Sequence, residues 1–107
     1  MKRRTVVYLP AAQRDLLDAF DYVRKDSPAA AAAWLERIDR ALGRLASFPR
    51  SGFVPKDRRL AARGYRVVVI DQHLALYVVG PQAVEIRRVV HGRRRYAFLF
   101  KGAKTPR

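Results

Sequence analysis

The residues best suited to chemistry crowd into one part of this sequence. Arg87, Arg88 and His91 close an apolar run, and Arg93, Arg94, Arg95 and Tyr96 follow at once. Arginine is permanently charged and offers a planar fork of donors that matches phosphate. Histidine titrates near neutrality, so it can give or take a proton at physiological pH. Upstream, Lys56, Arg58, Arg59 and Arg63 cluster just before a second apolar run that contains Arg66. Such a basic segment can grip phosphates, and it can equally be a solvated linker. Function is expected where the last strand ends and its cations continue.

The charge balance points the same way. The chain of 107 residues holds 23 Lys and Arg against 9 Asp and Glu, a net charge of +14. Residues 1–49 carry nine basic and six acidic residues, whereas residues 50–107 carry fourteen basic and three acidic. Concentrated positive field implies a polyanionic partner such as RNA, DNA or an acidic protein segment. An arginine-favouring composition explains why 18 of the 23 cations are Arg, but not why acids are scarce. With no cysteine, two histidines and no dense acidic cluster, neither a metal site nor a cofactor is expected. No apolar run approaches the roughly 20 residues of a membrane span, and MKRR is followed only by TVVYL, so a cytoplasmic protein is expected.

These residues need a scaffold, and the hydrophobic pattern supplies one. The length suits a single domain over 1–107, with a basic loop at 50–64 and an apolar C-terminal tail at 96–107 that opens with YAFLF. Thr5 to Leu9 is a short β-branched strand ended by Pro10. A helix follows to about Lys25, with Leu16, Phe20 and Val23 on one face and Asp15, Asp18 and Asp21 as solvated charge outside it. Ser27-Pro28 caps and restarts a second helix, buried along Leu35, Ile38, Leu42 and Leu45, with Trp34 beside that seam. The short link predicts an antiparallel helical hairpin lying on one face of a sheet. Arg50 to Gly64 shows no strong periodicity. Three apolar runs, Tyr65 to Ile70, Leu74 to Val79 and Val84 to Val90, have connections short enough to force an antiparallel meander. Simple alternation places Val67 and Val69 opposite Arg66, Val68 and Ile70 on the first run, and Val84, Ile86, Arg88 and Val90 on one face of the last. The fold class is therefore α+β.

This order, with LASFPRSG, GYRVVV and EIRRVVHGRRRY in sequence, resembles the RelE/ParE superfamily of toxins from bacterial toxin-antitoxin modules, over residues 5–98. The resemblance implies a type II toxin, a factor of plasmid stabilization and growth inhibition, neutralised by a cognate antitoxin whose C-terminal segment wraps it. That segment is expected to be acidic and amphipathic, because it must cover basic and apolar surface together.

Superfamily members divide by target. RelE-like members are mRNA interferases that cut mRNA on the ribosome without metal, and ParE-like members inhibit DNA gyrase without nuclease activity. Metal-free cleavage needs a base for the 2′-OH, cations for the charged transition state and an acid for the leaving oxygen. Arg66 in GYR resembles the RelE-like strand arginine, Arg59 a basic loop residue, and Arg93 or Arg94 with Tyr96 the basic-then-tyrosine ending, while His91 suits a base or acid. The expected reading is a ribosome-dependent endoribonuclease with catalytic Arg66, His91, Arg93, Arg94 and Tyr96, and with Lys56, Arg58, Arg59, Arg63, Arg88 and Arg95 holding nucleic acid. The long helical hairpin and the VVHG ending resemble ParE-like members, which keeps gyrase inhibition as the alternative. A nucleic-acid-binding or degenerate toxin without enzyme activity is the third.

Overall fold

The computed structural model describes residues 3–92. A strand, β1 (Thr5–Tyr8), leads into two helices, α1 (Pro10–Asp26) and α2 (Pro28–Gly43), the second extended by a 3-10 turn at Arg44–Ala46. A short helix, α3 (Arg58–Ala62), precedes the strands β2 (Tyr65–Ile70), β3 (His73–Val79) and β4 (Ala83–His91). The expected α+β order of strand, helical hairpin and antiparallel meander is therefore present.

Proline punctuates the hairpin. Pro10 and Pro28 each occupy the first turn of their helix, where a missing backbone N–H costs nothing. Between the helices stands one residue, Ser27, and it serves both. Its N–H donates to Val23 O at 3.0 Å and closes α1, while its Oγ accepts from Ala30 N at 3.1 Å and caps α2. Ala31, Trp34, Ile38 and Leu42 recur every three or four residues and are buried. Of these, Trp34, Ile38 and Leu42 pack with Ala12 and Leu16 of α1 against Ile70, Ala75, Tyr77, Val84, Ile86 and Val89 of the sheet. Trp34 thus belongs to the core itself, with Leu35 and Phe20 at its margin.

The sheet order is β1-β4-β3-β2. β1 pairs parallel with β4 from Thr5↔Ala83 to Tyr8↔Ile86, and the meander pairs are antiparallel. The parallel partner requires a crossover, which the helical hairpin provides. On the face away from the hairpin, Tyr65, Val67, Leu76 and Val90 form a second cluster with Leu60 of α3. Asp57 caps α3 by accepting from Arg59 N and Leu60 N, so the connector between residues 50 and 64 contains a helix that periodicity did not reveal.

Alternation holds on β2, where Val67 faces the second cluster while Val68 and Ile70 face the helices. On β4 it fails. The β3–β4 register slips between Leu76↔Arg88 and Tyr77↔Ile86, leaving Arg87 as an extra residue. This bulge resets the strand, so Val84, Ile86 and Val89 reach the helical layer while Val90 joins the opposite cluster. The expected sharing of one face by Val84, Ile86, Arg88 and Val90 is corrected accordingly.

Candidate functional site

The sheet register sets the distances between the expected catalytic residues. Arg66 pairs with Tyr77, which pairs with Ile86; Ile70 pairs with His73, which pairs with His91. Arg66 and His91 therefore lie at opposite ends of the strands and two strands apart. With ~3.3 Å per residue and ~4.8 Å between strands, their Cα atoms stand roughly 16 Å apart. Arg66 also turns outward. Its Nε and Nη2 donate to Gly52 O at 3.1 and 2.8 Å, and Nη2 also reaches Arg50 O at 3.1 Å. The guanidinium is thus held by the loop flanking the outer edge of β2, on carbonyl oxygens that leave its charge uncancelled.

Tyr77 completes that clamp from beneath. Its buried hydroxyl accepts from Gly52 N at 2.9 Å and donates to Pro49 O at 2.7 Å. Phe53 then exchanges both backbone hydrogen bonds with Val67, at 2.9 and 2.8 Å. The FPRSG stretch is consequently pinned by two side chains and a β-bridge. Tyr77 lies within the apolar run Leu74 to Val79, and only the fold shows that it is buried and what its hydroxyl holds.

His91 occupies an exposed position at the other end. Its ring meets His73 edge to face, with centroids 5.6 Å apart, and His73 in turn packs 5.2 Å from the Trp34 ring. His73 Nδ1 and Trp34 Nε1 are buried with no hydrogen-bond partner among the described residues. Burial lowers the His73 pKa, the neighbouring His91 lowers it further, and Asp71 opposes both. A cavity of about 520 Å³ opens here between α1 and the end of β4, lined by Asp18, Tyr22, Gln72, His73 and His91 among others.

Arg88, expected on nucleic acid, is engaged within the fold. Its Nε and Nη2 donate to both carboxylate oxygens of Asp15 at 2.7 and 2.9 Å. Asp15 also accepts from Val89 N at 2.9 Å, beyond the point where β1 stops covering the β4 edge. Asp15 is therefore a structural brace between α1 and β4, with only 15% of its side chain exposed, where the sequence suggested solvated charge. Its hydrogen bonds raise the Arg88 pKa. Arg87, the bulged residue, pairs with Glu85 at 2.7 Å and lies 5.6 Å from the Tyr65 ring.

The basic loop residues stay at the surface. Lys56, Arg58, Arg59 and Arg63 are exposed on or beside α3, with Arg59 4.0 Å from Asp57. Arg93, Arg94, Arg95, Tyr96 and the rest of the expected apolar tail lie outside the described residues. Among the described residues no group of three or more His, Asp or Glu comes together to hold a metal ion, and no helix is long and apolar enough to cross a membrane.

Comparison with known proteins places this arrangement. Residues 6–96 match the family model of the ParE toxin of the type II toxin-antitoxin system parDE. Among solved structures, a chain of the chromosomal ParDE toxin-antitoxin system from P. aeruginosa superposes with a TM-score of 0.69 at 18% identity, over 83% of this chain and 96% of that one. A chain of the RelBE2 toxin-antitoxin complex from Mycobacterium tuberculosis gives 0.57 at 28% identity, over 83% of this chain and 98% of that one. Curated proteins give no significant match. The family model spans most of the sequence, and this chain belongs to the ParE toxin family of type II toxin-antitoxin systems, within the RelE/ParE superfamily.

Proposed function

We propose that this toxin is held by an acidic, amphipathic antitoxin segment and that, once free, it arrests growth by inhibiting DNA gyrase through a protein-protein interface. The separation of Arg66 from His91 carries the second half of this reading. A metal-free nuclease must surround one phosphate with its base, acid and cations at hydrogen-bonding distance. Here Arg66 turns to the β2 edge, Arg88 is braced by Asp15, and His91 lies at the far end of the sheet. The antitoxin half rests on charge and on the family. A surface of net charge +14 draws an acidic segment, and both structural neighbours come from toxin-antitoxin systems.

A second reading, ribosome-dependent mRNA cleavage, keeps one observation in its favour. The excess of cations over residues 50–107, including Lys56, Arg58, Arg59 and Arg63, suits a partner made of RNA. In that case Arg93, Arg94 and Tyr96 join His91 in catalysis, with Arg66 and Arg95 on the substrate. Brief induction of the toxin, with mRNA 5′ ends and gyrase-linked DNA breaks mapped in the same cells, separates the two. DNA breaks with intact mRNA support gyrase as target. Codon-phased mRNA cuts that vanish in His91→Ala, without DNA breaks, replace it with the ribosome.

A further inference from the structure

The loop from Phe48 to Val54 combines two properties that rarely occur together. It is rigid, and it is apolar on the outside. Phe48, Phe53 and Val54 are 61%, 49% and 51% exposed, three large hydrophobic residues within seven positions. Exposed apolar clusters on a soluble protein mark contact surfaces more often than accidents of folding. Loops that expose such residues commonly move, yet this one is fastened at Pro49, Arg50, Gly52 and Phe53 by Tyr77, Arg66 and Val67. Gly52 makes the fastening possible, because a Cβ there would sit 2.6 Å from Tyr77 Oη.

We propose that this loop is the surface with which the toxin grips its folded protein target, the Phe48 and Phe53 side chains entering an apolar recess rimmed by acidic residues. The proposal rests on the gyrase reading and adds where the toxin makes contact. Charge complementarity sets the partner's chemistry. Arg50, Lys56 and Arg58 flank the aromatic pair, all exposed and without a carboxylate partner among the described residues, and Asp57 is the single acid between residues 40 and 70. Rigidity argues for a folded partner over a disordered one. Fixing the loop beforehand removes the ordering cost of binding and presents ready-made anchors, the pattern of a binding hot spot. The loop also lines neither of the two cavities beside His91, so it offers no groove for an amphipathic helix to enter.

The test is the double variant Phe48→Ser/Phe53→Ser, compared with the wild-type chain for gyrase supercoiling inhibition, antitoxin affinity, thermal unfolding and growth arrest on induction. Both side chains are about half exposed or more, so folding and antitoxin affinity are expected to persist. Inhibition is expected to need roughly 30-fold more toxin, as for loss of a hot-spot anchor. A folded double variant that inhibits gyrase like wild type overturns the proposal. So does a matching loss of antitoxin affinity, which would give the loop to the antitoxin. If the wild-type chain itself leaves gyrase untouched, the functional reading falls, and growth arrest then decides the loop: a double variant as toxic as wild type overturns its role as a target contact.

Discussion

Gly52→Ala isolates the close approach on which the pinned loop depends. A Cβ at this position would lie 2.6 Å from both Tyr77 Oη and the Val67 carbonyl oxygen, and 2.9 Å from Tyr77 Cε1. Neither neighbour yields easily, since Tyr77 is fully buried and the Val67 oxygen belongs to the bridge with Phe53. Forcing an extra methyl into a packed site costs about 1 to 3 kcal/mol. If Tyr77 recoils, the Gly52 N–H loses its acceptor in a buried setting, which adds about 1 to 3 kcal/mol. We expect a total loss of about 2 to 6 kcal/mol, measured by urea unfolding monitored by circular dichroism. Gly64→Ala is the control, because Gly64 has a left-handed φ of +83° with open space around it. Its cost is backbone strain alone, about 1 to 2 kcal/mol. A Gly52→Ala loss no larger than that of Gly64→Ala, or below about 1 kcal/mol, would refute the close approach and with it the rigid loop.

Two further outcomes follow from the core and the histidines. Leu42 is fully buried on α2, so Leu42→Ala should cost about 2 to 5 kcal/mol in the same assay, and a near-neutral effect would place the helix in a different register. Because His73 has a folded-state pKa below its unfolded value of 6.5, the unfolded chain binds more protons, and stability from this group is fully present above pH 6.5 and declines as pH falls towards the lowered value. The stability difference between wild type and His73→Gln should therefore shrink on acidification from pH 7.5 to 5, whereas a pH-independent difference would show that the His73–His91–Trp34 cluster does not suppress protonation.

Much of this molecule follows from local pattern. Pro10, Ser27-Pro28 and the apolar periods of α1 and α2 act through neighbours only a few residues away, so the helical hairpin is written in the chain itself. The meander is equally legible, because two short connections leave antiparallel pairing as the only geometry. Other features depend on residues far apart in sequence. The bulge at Arg87 arises from the fit between β3 and β4, and it moved Val89 to the helical face against simple alternation. Asp15 met Arg88 across 73 positions because β1 ends early and leaves the β4 edge to a carboxylate. The family resemblance of Arg66 and the chemistry of His91 made them expected partners, and only strand register put them at opposite ends of the sheet. The sequence by itself determined β1, the helical hairpin, the meander, the resemblance to the RelE/ParE superfamily and the basic character, since these depend on local propensity, motif order and composition. Which cations are free, which are braced and which loop is pinned was decided by tertiary contacts, because a side chain's partner is set by the geometry of the whole sheet and not by its neighbours along the chain.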